Sequence, residues 1–384
     1  MFFRLPPAGE RIPSPDRGPA ANDHRSTFSP YAATFYGSGT EALAAALMAA
    51  VKSKGSPNPD VLLPAYSCPA LISAVLYARA KPVFVDFAPD RPWMDLDAVR
   101  GKTTSRTAAI VAVDLFGIPE RLSALHDVAT SCGAAVIEDS AQRLPEPETF
   151  ASEADFVILS FGRGKPVSLL GGGAVLTADP PCKELLPYPE LAPWQSLVGR
   201  AVAEATIAFY NFLLPPSRYW MVAGMPFLHL GETRYLPLAG IRPMPESKLA
   251  RLEPAVRKVR QRQDRVQGSI RRMVAQLDAS FVLDLAAACD VKNFSKLCRY
   301  PLLLKTAELR DAVLSELTAA GLGASAMYPA PLPRISGIDD ILAPQQRYRE
   351  AEKFSKRILT LPTHSAVREE QIERMHEVFL RALH

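Results

Sequence analysis

Cysteine is scarce in this 384-residue chain: only Cys68, Cys132, Cys182, Cys289 and Cys298 are present. An odd, scattered set does not fit a disulfide framework, and no pair has metal-ligand spacing. The sequence therefore points to a reducing compartment and to no bound metal. Charge imbalance is also missing. The formal net charge is +4, and no basic tract is interleaved with aromatics, so nothing favours a nucleic-acid partner. The basic residues between Arg257 and Arg262, and the pair Arg271 and Arg272, suit the wet face of a helix. A long hydrophobic run is lacking as well. Ser196 to Leu228 is strongly apolar, but its longest charge-free run, Ala205 to Ser217, is shorter than the roughly 20 residues of a spanning helix. Pro215 and Pro216 interrupt it. That stretch reads either as a helix packed on a subunit partner or as an in-plane membrane contact. The proline-rich first thirty residues hold no apolar core of a secretory signal, so a cytoplasmic protein is expected. No internal repeat is found.

What remains is an ordinary globular composition, 48% hydrophobic and 22% charged, in a chain long enough for two or three domains. The division expected is an N-terminal arm over 1–35, a large domain over 36–245 with an apolar insertion at 179–235, and a long helix with a small domain over 246–384. Thr40 to Lys54 is Ala/Leu-rich, free of Gly and Pro, and reads as a helix. Short apolar runs follow at 61–63, 83–85, 108–113, 134–137, 156–159 and 174–176, with helical segments between several of them. Such a pattern indicates an α/β protein with a mostly parallel sheet buried on both faces. A single helical segment is expected from Glu246 to Leu277. A strand at Tyr300 to Lys305 and helices at Ala307 to Ala320 and Glu369 to Leu383 form the smaller α/β region.

A parallel sheet binds ligands at the carboxyl ends of its strands, and the polar residues fall there. Gly37-Ser38-Gly39-Thr40 opens the first helix; it either caps that helix or presents N–H groups to a phosphate. Glu138-Asp139-Ser140-Ala141-Gln142 follows a strand; Asp139 either caps the next segment or holds a pyridine nitrogen protonated. The strongest signal is Ser160-Phe161-Gly162-Arg163-Gly164-Lys165, followed by Gly171-Gly172-Gly173. A lysine in a glycine-rich loop after a buried strand can approach a flat ring unobstructed, and partial burial favours its neutral, imine-forming amine. The triple glycine lacks the spacing of a dinucleotide fingerprint and precedes a strand. The set is what a pyridoxal phosphate site needs.

These residues, with Leu63 to Ala70 (LPAYSCPA), Ala80 to Asp86, Asp114 to Gly117 (DLFG) and Leu361 to His364 (LPTH), resemble the DegT/DnrJ/StrS family of sugar aminotransferases. The resemblance runs from about Tyr36 to the end and is weakest from Thr177 to Leu249. It implies the fold-type-I, aspartate-aminotransferase-like architecture and pyridoxal 5′-phosphate held by Lys165 as a Schiff base. It implies that Asp139 pairs with the pyridine nitrogen, Gln142 lies near the phenolic oxygen, and Gly39, Thr40 and Ser160 hold the phosphate. Three positions depart from the family pattern. Cys68 stands where an aromatic usually stacks on the cofactor, leaving the thiol or Tyr66 to cover the ring. Asp114 replaces a histidine. Gly240-Ile241-Arg242 replaces an Asn-x-Arg segment that reaches a neighbouring subunit.

The resemblance implies a homodimer that passes an amino group from a donor such as glutamate to a nucleotide-linked keto sugar for polysaccharide or glycoside synthesis. The alternative is a pyridoxal phosphate-binding regulatory or scaffold protein of the same fold, altered in catalysis. Arg163, Arg234 and Arg242 are candidate clamps for a substrate phosphate or carboxylate, or surface ion-pair partners. His364 either lies near the cleft or is structural.

Overall fold

The computed structural model describes residues 3–15, 26–145, 153–178, 180–188, 197–223, 233–289, 296–338, 341–342 and 346–383. The apolar runs fold into a seven-stranded sheet: β1 (Ala32–Tyr36), β2 (Asp60–Pro64), β3 (Lys81–Val85), β4 (Thr107–Val113), β5 (Ala135–Asp139), β6 (Phe156–Ser160) and β7 (Gly173–Thr177). The spatial order is β1-β7-β6-β5-β4-β2-β3. β2 through β6 pair in parallel, and β7 runs antiparallel between β6 and β1. Every residue of β2, β4 and β7 is buried, which is why these strands read as unbroken apolar runs. β1 lies at the edge with alternating exposure, so it has no such run, and residues 32–35 of the expected arm belong to the sheet.

Both faces are covered. On one face lies α1 (Gly39–Lys54) with α2 (Ala70–Tyr77). The buried face of α1 is chiefly alanine, with Leu43 and Leu47, so the helix packs close against β4, β6 and β7. Ser38 caps it by accepting from the Glu41 N–H at 3.2 Å, and Gly55 ends it in the left-handed region at φ 61°. On the other face, α3 (Leu96–Lys102) and α4 (Leu122–Cys132) cover Leu62, Ile110, Ala112 and Val136.

After β7 come α5 (Pro180–Leu185), α6 (Leu197–Leu213) and α7 (Pro216–Ala223). Ser196 and residues 224–228 of the apolar stretch lie outside the described residues. Val202, Phe209 and Phe212 are 60%, 63% and 53% exposed. No described helix is long and apolar enough to cross a membrane. The segment expected as one helix is three: α8 (Glu246–Leu249), α9 (Leu252–Gln261) and α10 (Arg265–Val274). The main break comes where Arg262 turns extended, at ψ 127°, and sends its guanidinium to the Leu297 carbonyl and toward Glu10.

A second sheet, antiparallel in the order β10-β9-β8, is built from β8 (Val282–Asp284), β9 (Arg299–Leu304) and β10 (Ile358–Pro362). Around it lie α11 (Leu285–Ala288), α12 (Ala307–Ala319), α13 (Arg349–Arg357) and α14 (Glu369–Leu383). Apolar stripes on α10, α12 and α14 share one core with this sheet. Residues 3–15 are fastened to the rest of the chain. Leu5 is buried and donates its N–H to the Gly321 carbonyl at 2.8 Å, while Asn211 of α6 brackets Ile12 by accepting from its N–H and donating to its carbonyl.

Candidate active site

Because β1 and β2 through β6 point the same way, their carboxyl ends share one edge of the sheet. That edge gathers Gly39 after β1, Cys68 after β2, Asp114 after β4, Asp139 at the end of β5 and Ser160 at the end of β6. Two glycines let the backbone close up here. A Cβ on Gly39 would stand 2.6 Å from the Ser160 Cβ and 2.7 Å from its Oγ; one on Gly173 would stand 2.6 Å from the Gly39 nitrogen. Their lack of side chains sets the first turn of α1, including Thr40, against the Ser160 hydroxyl. A helix N-terminus and a hydroxyl in that arrangement form an anion cradle.

Asp139 is buried, and its Oδ1 accepts from the Ala141 N–H at 3.0 Å. Burial pushes its carboxyl pKa above the usual range, the Lys165 ammonium and the Ala141 bond pull it back, and Asp114 pushes it up. Lys165 is thus an electrostatic neighbour of Asp139. It is half-buried, in a turn closed by its own N–H to the Gly162 carbonyl at 3.3 Å. Gln142 is buried beside Gly117 and Cys298; its carbonyl accepts from the Cys298 thiol at 3.8 Å.

Asp114 does not face the site as a free group. Its Oδ2 accepts from the Ser140 hydroxyl at 2.7 Å and from Arg143 Nε at 2.6 Å, its Oδ1 from the Glu120 N–H at 3.1 Å. Arg143 also pairs with buried Glu138. Burial alone would lower the Arg143 pKa, but the two carboxylates reverse that and raise it. This buried set anchors the Asp139–Gln142 segment from behind. Tyr66 does not cover the cleft either: its ring is fully buried against Phe87, Tyr328 and Phe354, and its hydroxyl donates to the Tyr328 carbonyl.

Nothing in the sequence marked two residues that the second sheet region brings in. The Tyr328 phenol hydrogen-bonds the Cys68 thiol and neighbours Asp139; burial first, then these groups and Tyr66, push its pKa well up and keep it protonated. Arg299, the first residue of β9, donates from Nη1 to the Ser325 hydroxyl at 2.8 Å. Its Nη2 lies 3.8 Å from where a Gly164 Cβ would stand. The only sequence signal was a charge leading an apolar strand. Other candidates have structural roles. Arg242 donates from Nη2 and from its backbone to buried Glu41. The His364 Nε2 bonds the Pro6 carbonyl at 2.8 Å, and its Nδ1 accepts from the Ala366 N–H. Arg234 is exposed. Among the described residues, no group of three or more His, Cys, Asp or Glu can hold a metal.

Residues 26–187 and 246–379 match the model of the DegT/DnrJ/EryC1/StrS aminotransferase family. A UDP-N-acetyl-3-dehydro-alpha-D-glucosamine 3-aminotransferase of Acidithiobacillus ferrooxidans is 28% identical over 355 residues, 90% of this chain and 83% of that protein. Among solved structures, Helicobacter pylori PseC, an aminotransferase involved in the biosynthesis of pseudoaminic acid, superposes with a TM-score of 0.71 at 16% identity, covering 99% of each chain. Bacillus subtilis NtdA, solved with bound cofactor PMP, gives 0.70 at 19%, covering 96% of this chain and 78% of that one. The fold is therefore that of fold-type-I aminotransferases. The chain belongs to the DegT/DnrJ/EryC1/StrS aminotransferase family.

Proposed function

We propose that this chain is a pyridoxal phosphate-dependent aminotransferase that moves an amino group, from glutamate, onto the keto group of a nucleotide-linked sugar. The observation that carries the reading is the meeting of Lys165 and Asp139 beside the Gly39–Ser160 cradle, at one sheet edge, in a chain of this family. The relative from Acidithiobacillus ferrooxidans, named for a UDP-linked 3-dehydro sugar, supports the acceptor class.

The residues fit the cofactor. Because Gly39 has no side chain, Ser160 closes on the first turn of α1, so Gly39, Thr40 and Ser160 would hold the phosphate. Asp139, whose charge burial penalises, would gain a cationic partner in a protonated pyridine nitrogen. Gln142 would lie at the phenolic oxygen, and Cys68, tied to Tyr328, would cover the ring. Pyridoxal phosphate, when bound, supplies an electron sink for the substrate carbon. Lys165 would hold the cofactor through its amine, and the same amine would take up and return the substrate carbon's proton. Tyr328, protonated and bonded to Cys68, would fix the position of that thiol.

Two copies would form the working unit, with the exposed face of α6 against the partner; its apolar exposure supports that contact. The reading is tested by loading the protein with pyridoxal phosphate and adding glutamate. The cofactor's visible absorbance bleaches, and a UDP-linked 3-keto sugar restores it. A loaded protein that no amino acid bleaches overturns the reading.

A further inference from the structure

The loop that carries Lys165 ends in a backbone conformation that most residues avoid. Leu170, Gly171 and Gly172 follow one another with φ of 57°, 132° and 97°. Glycine adopts such values freely, but a leucine in the left-handed region is strained. Strain of that kind persists only where surrounding contacts impose it, and it gathers at functional sites. The backbone supplies some of those contacts. The Phe161 carbonyl accepts from the N–H groups of Leu169 at 2.8 Å and Gly171 at 3.0 Å, and the Phe161 N–H donates to the Gly172 carbonyl at 2.9 Å. Gly172 donates in turn to the Gly37 carbonyl at 2.8 Å, beside the cradle. These bonds close the base of the loop without using the Leu170 carbonyl.

Lys248 of α8 takes that carbonyl, its ammonium donating at 2.9 Å. It reaches the carbonyl past Gly171, where a Cβ would stand only 2.4 Å from Nζ. Met244, which leads into α8, packs on Gly172 in the same way, its sulfur 2.9 Å from where a Cβ would be. The helix is itself held in place. Arg251 donates from Nη1 to the Ser247 carbonyl at 2.6 Å and from Nη2 to Glu204 of α6 at 2.5 Å. Burial and the neighbouring Arg242 both lower the Lys248 pKa, so a charge is kept here against an unfavourable environment. A charge-assisted bond to a strained carbonyl offsets that disadvantage.

We propose that Lys248 is a positioning residue: by holding the Leu170 carbonyl it locks the return leg of the loop and so fixes where Lys165 stands relative to Asp139. Lys165 lies five residues before Leu170, so slack at Leu170 passes along a short stretch of chain. The role of Lys165 rests on the proposed function, whereas the lock rests on the loop's own contacts.

The test compares the cofactor-loaded parent with Lys248→Met, Lys248→Gln and Gly171→Ala, by amide hydrogen exchange and by the rate at which glutamate bleaches the cofactor. In Lys248→Met, exchange at Leu169 and Gly171 should quicken about tenfold and stay at the parent rate in β4 and β5. The bleaching rate at saturating glutamate should fall about tenfold, the factor for losing one bond to a charged group. Half-saturation should stay within about twofold, since the lock serves the reacting lysine rather than uniform substrate binding. Lys248→Gln, which keeps an N–H donor, should recover much of both losses. Gly171→Ala should reproduce them, because its methyl takes the ammonium's place. A Lys248→Met protein with parent exchange at Leu169 and Gly171 and parent bleaching overturns the proposal. So does exchange that quickens throughout the sheet with no recovery in Lys248→Gln, which would make Lys248 a stability residue alone. If exchange loosens at the loop while no amino acid bleaches even the parent, the lock stands and the aminotransferase reading falls.

Discussion

At the carboxyl ends of β4, β5 and β6, buried polar side chains find partners within a few residues or across one strand. Along α6 and α7, large apolar side chains face outward instead. The first region holds Asp114, Glu138, Ser140 and Arg143 in one bonded set, with Asp139 bonded to the Ala141 N–H; the second leaves Phe209 at 63% exposure. The family match includes the first and stops at residue 187 before the second. A buried polar network tolerates little change, since losing one member leaves another unpaired in a low-dielectric interior. An exposed helical face tolerates much and can be recut for a partner or substrate. The family match thus covers the buried polar network and leaves out the exposed helical face.

The strand-end side of that contrast is broken most severely by Lys165→Ala. Turnover should fall by about 10⁴-fold or more, the upper range for a positioned proton-transfer group; a variant that transfers amino groups at the parent rate defeats the assignment. Arg143→Met should cost stability rather than chemistry, because Asp114 and Glu138 would remain buried without their cation. A loss of about 3–5 kcal/mol in urea unfolding is expected, and adding Asp114→Asn and Glu138→Gln to the same protein should recover part of it. Asp139→Asn should leave folding nearly intact yet lower kcat by about 10²-fold, or about 2.7 kcal/mol. A kcat within twofold of the parent would remove Asp139 from the mechanism.

These predictions fall where the sequence was most legible, and the reason is burial. β2, β4 and β7 are inside on both faces, so composition alone betrayed them, and polar residues stand where β4, β5 and β6 end. β1 escaped because an edge strand alternates, and β8 because three residues carry no period. The apolar spacing of α9 and α10 continues across their break. What interrupts them is a tertiary contact of Arg262 with Leu297 and Glu10, which no local pattern encodes. Asp114 looked like a lost histidine, yet its partner Arg143 lies 29 residues on. Tyr328 and Arg299 enter the site only because the second sheet region packs against the first.

The smallest effects test the segments outside the shared core. His364 ties β10's end to the arm through Pro6. Burial holds its imidazole below the ordinary 6.5, so between its folded value and 6.5 the unfolded chain binds more protons. Stability from this group is therefore complete above pH 6.5 and is lost as pH falls through that window. Thermal unfolding of His364→Gln, which can still donate to Pro6, should depend less on pH between 7 and 5 than that of the parent; equal slopes would separate His364 from acid sensitivity. Val202 and Phe209, seven residues apart on α6, present one outward face. Val202→Ser with Phe209→Ser should change unfolding free energy by no more than about 0.5 kcal/mol, as for exposed sites. Sedimentation should nevertheless shift from dimer toward monomer. A double variant that stays dimeric would move the subunit contact elsewhere.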